Sequence, residues 1–203
     1  MRLHNGHVLG AAGFLAPVIG VVAPLGLAPL LAVAALAAIV VGRARGRAWP
    51  SPPLGLAVVM GAVVAWSILS LAWTIDIGAT LGKLPRFVFL LAAGLVLVDA
   101  AARLSGSERA IFARLSVAGF CIAFAVLLFE RFADAPIRRS TSKDSDSWAV
   151  MLDTFNRSVS VLALLVWPVI LVICRRGMGW GGAGWVLVLA TIWFYSSNAA
   201  IMG

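Results

Sequence analysis

Long apolar runs alternate with short polar connections along the chain, and this pattern predicts its secondary structure. A helix that crosses a bilayer needs about 20 mostly apolar residues, with a range of about 17–25. Seven segments fit or approach this length. They cover residues 8–23, 27–41, 54–73, 85–102, 110–129, 158–174 and 182–197. We therefore predict an all-α integral membrane protein, a bundle of about seven transmembrane helices that forms a single domain over residues 1–203.

The first two segments are short and are separated only by residues 23–26, with Pro24 and Pro29 at the junction. One continuous helix of this combined length would overshoot the membrane, so we predict a tight helical hairpin. A cleaved signal peptide is the rival interpretation, since the chain has a basic residue, Arg2, near its start and small residues near position 26. The second apolar run follows at once and the first contains Pro17, which favours the hairpin.

Residues 130–157 form the one substantial polar segment of the chain. Within it, Trp148, Met151, Leu152 and Phe155 follow the i, i+3, i+4, i+7 spacing of a helix with one apolar face. We expect a short amphipathic helix that lies along the outer boundary of the membrane.

The distribution of Lys and Arg predicts the orientation. If the N-terminus is cytoplasmic, nine basic and two acidic residues lie inside, against seven basic and six acidic residues outside. Cytoplasmic loops of membrane proteins carry the excess of Lys and Arg. We therefore predict a multi-pass protein of the bacterial inner (cytoplasmic) membrane, with a cytoplasmic N-terminus and a periplasmic loop over residues 130–157.

Composition excludes several other classes of protein. The chain is 62% hydrophobic and 12% charged, with a mean hydropathy of +1.03, which leaves too little polar surface for a soluble domain. A net charge of +8 in a soluble protein would suggest nucleic acid, but these basic residues occur in short clusters between apolar runs. We expect no nucleic-acid partner, and the lipid bilayer as the main one. Cys121 and Cys174 have no metal-ligand spacing, so we expect no metal.

Soluble-enzyme motifs are absent from the sequence, so ionisable residues near the spans carry most of the information. Asp99 and Arg103 are four residues apart, and we predict an ion pair on one helix face. His4 and His7 could share a helix face and bind a metal, but no acidic residue or Cys is near them in sequence. We interpret them as part of the N-terminal tail.

Basic residues on the predicted outer side suit a phosphate or diphosphate ligand at the depth of the lipid headgroups. These residues are Lys83, Arg86, Arg138, Arg139, Lys143 and Arg157. Arg157 is the most informative, because it lies where the sixth span begins and a helix dipole favours anions at that end. A cation together with free backbone N–H groups there would attract an anion. Plain solvation is the alternative for all six.

Four segments carry a resemblance to a known family. Two Pro/Gly-containing stretches, residues 14–17 and 23–29, look like the turns of an opening helix pair, and Trp73-Thr74-Ile75-Asp76 looks like a Trp-Ser-x-Asp segment after the third helix. Residues 155–163 are similar to an Asn-Arg-Gly segment that enters a helix, and residues 196–203 to Ser-x-Ser-Arg-Ala-Ala-x-x-Gly. By their order and spacing, the chain resembles the N-terminal half of the bacterial O-antigen ligase family, which is related to the O-antigen polymerases.

This resemblance implies a function. Family members move a glycan from an undecaprenyl diphosphate carrier to a lipid A–core acceptor, without a metal or nucleotide cofactor, and arginines stabilise the diphosphate. It implies diphosphate-binding roles for Arg157, Arg138, Arg139, Lys83, Arg86 and Asn198. Many members have Arg at the position of Asn198, and an amide cannot neutralise a diphosphate. The family's histidine base belongs to a later periplasmic loop, so the catalytic residues of this chain stay unassigned.

The family is about twice as long as this chain, which ends in the apolar-rich residues 193–203. We therefore expect a truncated protein that is inactive alone. A polysaccharide polymerase, a membrane transporter or flippase subunit, and a non-catalytic remnant are the alternatives. Mid-span positions lack charge, which favours a reaction at the membrane surface over transport across the membrane.

Overall fold

The computed structural model describes residues 4–46, 49–132, 158, 160–167 and 169–170 of the chain. Five α-helices occur in continuous stretches of this part. They are α1 (Asn5–Val22), α2 (Leu27–Ala44), α3 (Leu54–Leu69), α4 (Ile77–Ala102) and α5 (Gly106–Phe132). Residue 158 and the described residues from 160 to 170 are helical as well. Within the described residues all regular secondary structure is thus helical, as the sequence predicts.

A short 3-10 turn, Pro24–Gly26, connects α1 to α2. Near this turn the two helices are close, because a Cβ added to Gly26 would lie 2.8 Å from Cγ2 of Ile19. At the other end of the pair, a Cβ on Gly42 would lie 4.0 Å from Nδ2 of Asn5. The helices are therefore antiparallel, as the predicted hairpin requires. Gly46 follows the end of α2 with φ of 69°, a left-handed conformation that favours glycine after a helix.

Exposed apolar side chains cover most of α3, and none of its residues is fully buried. Leu54 is 81% exposed, Val58 61% and Trp66 65%. In water this surface would be costly, because burial of apolar area is the main stabilising term in folding. In lipid it is the expected exterior of a spanning helix.

Helix α4 extends further than the predicted fourth span, which starts at residue 85. It begins at Ile77 because the side chain of Asp76 caps it, accepting a hydrogen bond of 2.9 Å from the backbone N–H of Ala79. Pro85 lies inside the helix and does not mark its start. Proline is tolerated in membrane helices where the surroundings compensate for the missing backbone N–H.

The chain packs as two compact units. The first comprises Met1–Ala12 and Ala28–Ile111, and the second comprises Gly13–Leu27 and Phe112–Gly203. The second unit has an apolar core to which α1, α5 and the helical residues after 160 contribute. Its most buried members are Val21, Phe120, Ala123, Leu127 and Leu162. Ser158 is fully buried beside this core and donates a hydrogen bond of 2.9 Å to the backbone oxygen of Val21.

Five helices of the described part are long and apolar enough to cross a membrane: Asn5–Val22, Pro24–Ala44, Leu54–Trp73, Ile77–Ala102 and Gly106–Glu130. They correspond to the first five predicted spans, and they indicate a membrane-embedded protein. The described residues of the sixth predicted span are helical. The seventh span at 182–197 and the amphipathic helix predicted within 130–157 lie outside the described residues.

Candidate functional site

Two of the six predicted diphosphate-binding residues, Lys83 and Arg86, lie in the described part of the chain. Both are on α4, three residues apart and therefore on one face of the helix, and both side chains are exposed. Neither has an ion-pair partner among the residues that the structure describes. Arg138, Arg139, Arg157 and Asn198 lie outside those residues.

The length of α4 sets the depth of these two cations. At 1.5 Å per residue, the 26 residues of α4 span roughly 39 Å, whereas a hydrocarbon core is ~30 Å thick. Lys83 is 16 residues before Asp99, or roughly 24 Å along the helix. If Asp99 lies at one boundary of the core, Lys83 lies a few ångströms inside the other boundary. Its long side chain reaches the headgroups from there, with Arg86 one turn deeper.

The Trp-Thr-Ile-Asp segment that leads into α4 has a structural role. Thr74 donates a side-chain hydrogen bond of 2.9 Å to the backbone oxygen of Ser70, and Thr80 donates one of 2.8 Å to that of Asp76. The ring of Trp73 packs edge-on against Trp66, with 6.0 Å between centroids. With the capping bond of Asp76, these contacts fix the connection between α3 and α4 and the first turn that leads to Lys83.

We expect Asp76→Ala to destabilise the protein by about 1 kcal/mol, the usual cost of losing a helix N-cap. Asp76→Asn keeps an acceptor oxygen and is expected to change stability by only a few tenths of that amount. Thermal unfolding of the purified protein in detergent, followed by circular dichroism, measures both. Equal losses for Ala and Asn would show that the carboxylate charge, and not the cap, is what matters.

A second group of polar residues lies at the opposite end of α4, and we call it the N-side cluster. It comprises His4, Asn5, Arg43, Arg45, Ser51, Asp99, Arg103, Ser105 and Glu108. All belong to the first compact unit, where the start of α1 and of α5 meet the ends of α2 and α4. The cluster thus lies on the membrane side where the chain begins.

The predicted pair of Asp99 and Arg103 is confirmed. Nη2 of Arg103 is 2.9 Å from Oδ1 of Asp99, and its Nε donates to the same oxygen at 3.0 Å. Arg103 also donates a hydrogen bond of 2.6 Å to the hydroxyl of Ser51, which ties the end of α4 to the segment before α3. Asp99 is buried, so the pair supplies the partner that a buried carboxylate needs.

Glu108 is the centre of a second set of contacts. Its Oε2 accepts hydrogen bonds from the backbone N–H of Ser105 at 3.0 Å and from the Ser105 hydroxyl at 2.9 Å. The Ser105 hydroxyl also accepts a bond of 3.4 Å from the N–H of Glu108, so the two residues form a capping box at the start of α5. Oε1 of Glu108 lies 3.6 Å from Nδ1 of His4 and 3.8 Å from Nη1 of Arg45.

His4 therefore has an acidic neighbour that its sequence neighbourhood does not contain. The ring centroids of His4 and His7 are 5.8 Å apart. Among the described residues, no group of three or more His, Cys, Asp or Glu side chains could hold a metal ion. The Ser-x-x-Glu spacing of the capping box was the one signal in the sequence that could have pointed to Glu108.

No protein-family model matches the chain, and no curated protein or solved structure matches it either. The resemblance to O-antigen ligases therefore rests on the sequence segments alone. The chemistry of the two ends of α4 is the remaining indication of function.

These two ends differ in what they can do. In the N-side cluster, Asp99 and Glu108 are buried and surrounded by donors and cations, an arrangement that holds helices together. Lys83 and Arg86 are exposed and have no described carboxylate beside them. A cation pair of this kind can bind the oxygens of a phosphate or diphosphate.

Proposed function

We propose that this chain belongs to an O-antigen ligase-like membrane protein, in which it contributes to the transfer of a glycan from undecaprenyl diphosphate to a lipid A–core acceptor and is inactive alone. The observation that carries the proposal is the pair of exposed cations, Lys83 and Arg86, on one face of α4. A diphosphate attached to a membrane-bound polyprenyl chain lies at the depth of the lipid headgroups, which long cationic side chains reach from within the membrane. The pair follows directly on the Trp73–Asp76 segment that carries part of the family resemblance.

The chemistry requires cations at this position. During transfer, the bond between the sugar and the diphosphate breaks, a hydroxyl oxygen of the acceptor bonds to the sugar and releases its proton to solvent, and undecaprenyl diphosphate leaves. Negative charge develops on the leaving diphosphate, so cations that are already in place lower the barrier. Arg86 can hold two phosphate oxygens with its planar guanidinium, whereas the Lys83 ammonium acts as a compact charge. Arg138, Arg139, Arg157 and Asn198 complete the proposed set.

The proposed topology follows from the same assignment. Seven spans and a cytoplasmic N-terminus place the N-side cluster in the cytoplasm, and Lys83, Arg86 and the loop 130–157 on the periplasmic side of the inner membrane. The Lys and Arg distribution supports this orientation. Cysteine labelling of intact spheroplasts tests it: a probe at Ser145 is expected to react from outside, and one at Ser107 is not.

Replacing both cations, Lys83→Ala with Arg86→Ala, is expected to reduce glycan transfer by at least about 100-fold. Two charge-assisted hydrogen bonds are lost, each of which typically contributes ~1.5–3 kcal/mol. The measurement is transfer of labelled glycan from undecaprenyl diphosphate to lipid A–core in membranes that contain the product of the complete reading frame and no other ligase.

The matched control is Arg114→Ala, which removes an exposed cation from the first third of α5 and is expected to leave transfer unchanged. Immunoblots of the membrane fraction verify equal amounts of each variant. Full transfer by the double variant would remove Lys83 and Arg86 from the site. Lengthening of the lipid-linked glycan without transfer to lipid A–core would indicate a polymerase, and movement of the lipid-linked glycan across the membrane without transfer would indicate a flippase.

A further inference from the structure

A small cavity opens within the N-side cluster, and neither the ion pairs nor the proposed glycan transfer explains it. Its lining includes Asn5, Gly42, Arg43, Asp99 and Arg103, all in the first compact unit. About 30 Å³ is open to the centre of a water molecule. A cavity of this size admits one or two hydroxyl-sized groups, so a larger ligand enters it only with such groups and keeps the rest of its headgroup at the rim.

Two arginines and one aspartate line the cavity, so one positive charge is not balanced by a carboxylate of the lining. Arg103 is neutralised by Asp99 through the 2.9 Å pair. Arg43 is exposed at the rim and, among the described residues, has no carboxylate partner; its guanidinium carbon instead lies 5.0 Å from the centre of the Trp49 ring. The lining thus carries a net charge of +1, which a single anionic group would balance.

The interior of the cavity presents hydrogen-bond acceptors. Nε and Nη2 of Arg103 both contact Oδ1 of Asp99, and no described residue donates to Oδ2 of Asp99. Asn5 is 3% exposed, and its Oδ1 has no hydrogen-bond partner among the described residues. Buried acceptors are costly unless a donor reaches them, so a ligand for this cavity should bring small O–H or N–H groups.

The tryptophan beside the cavity rim indicates that such a ligand comes from the membrane surface. Trp49 is 66% exposed next to the rim, and amphipathic tryptophan rings of membrane proteins concentrate at the membrane–water boundary. Basic pockets between helices at this level are suited to anionic lipid headgroups. A phosphodiester with a hydroxyl-bearing headgroup matches the cavity in charge, in hydrogen-bond donors and in size.

We propose that this cavity binds the headgroup of phosphatidylglycerol, with the phosphate on Arg43 and a glycerol hydroxyl donating to Asp99 or Asn5. The site is at the opposite end of α4 from Lys83 and Arg86, so it does not depend on the proposed glycan transfer. Phosphatidylethanolamine has donors but no net charge, and phosphatidylcholine has neither donors nor net charge. Both should therefore bind more weakly.

Native mass spectrometry of the purified full chain, with added phosphatidylglycerol, phosphatidylethanolamine or phosphatidylcholine, tests the proposal. Phosphatidylglycerol is expected to be retained at least tenfold more tightly than the other two lipids. Arg43→Gln is expected to remove this preference, because one charge-assisted hydrogen bond corresponds to about a tenfold change in affinity. Arg114→Gln, an exposed cation outside the cavity, is the matched control and should keep it.

A second variant tests the cavity without changing charge. A Cβ on Gly42 would meet only Asn5 Nδ2, at the ordinary contact distance of 4.0 Å, so Gly42→Ala is expected to fold and to narrow the cavity. It should weaken phosphatidylglycerol binding, whereas Gly94→Ala, with nothing within 4 Å, should not. Equal retention of the three lipids, or an unchanged preference in Arg43→Gln, would overturn the proposal. Displacement of the lipid by soluble glycerophosphoglycerol would assign the site to a soluble phosphodiester and would also overturn the lipid assignment.

Discussion

Gly119→Val is expected to destabilise the protein by about 3 kcal/mol, the upper end of the usual cost of overpacking a core. Gly119 lies on α5 and faces the backbone of Phe14 on α1. A Cβ at this position would be 2.3 Å from the backbone oxygen of Phe14 and 2.6 Å from its Cα. A flexible side chain could move aside, but here the obstacle is backbone. The two helices would have to separate, and the apolar core around Phe120 and Val21 would lose contacts with them.

Unfolding of the purified protein by heat in detergent measures this effect. The matched controls are Gly61→Ala on α3 and Gly94→Ala on α4, where an added Cβ meets nothing within 4 Å. Both are expected to be neutral or slightly stabilising, since Ala is a better helix former than Gly. Gly119→Ala should lie between the controls and Gly119→Val. A Gly119→Val protein as stable as the parent would mean that α1 and α5 do not pack closely at this point.

The apolar pattern predicted the helices well, because a spanning helix is defined by length and hydropathy alone. Each of the five membrane-length helices of the described part corresponds to a segment found from the sequence. The largest difference is the start of α4. The predicted fourth span starts at residue 85, whereas the capping side chain of Asp76 starts the helix two turns earlier. Proline indicates helix starts in water more reliably than in lipid.

Close approaches between helices could not be predicted in the same way. The chain has 20 glycines, and nothing in the sequence around Gly119 distinguishes it from Gly61 or Gly94. Only the packing shows that Gly119 touches backbone and that the other two face open space. A small residue permits a close approach between helices in lipid, but the sequence does not show which helix packs against it.

The polar residues show the same division between local and long-range information. The Asp99–Arg103 pair follows from a spacing of four residues and was predicted from it. The contact of Glu108 with His4 joins the two ends of a long stretch of chain, so His4 looked isolated in the sequence. The cations at Lys83 and Arg86 could be named as candidates, yet their shared exposed face becomes evident only once α4 is known to start at Ile77.

Glu108→Ala is expected to destabilise the protein by about 3 kcal/mol, for two separable reasons. The capping box with Ser105 is lost, which costs ~1 kcal/mol. Arg45 and His4 also lose the carboxylate beside them. Breaking a fully buried ion pair costs ~3–5 kcal/mol. The contribution here is smaller, about 2 kcal/mol, since the Arg45 side chain is 26% exposed and that of His4 44%.

A double-mutant cycle separates these two contributions. Glu108→Ala, Arg45→Ala and the double variant are unfolded under identical conditions, and the coupling free energy is expected to be about 1–2 kcal/mol. Glu108→Gln keeps an acceptor for Ser105 but loses the charge, so it should retain the cap contribution and lose the coupling to Arg45. The first turn of α1 adds a packing constraint, because a Cβ on Gly6 would be 2.7 Å from Cβ of Glu108. If Glu108→Gln were as stable as the parent protein and the coupling to Arg45 was zero, Glu108 would act through its cap and its fit against Gly6 and not through its charge.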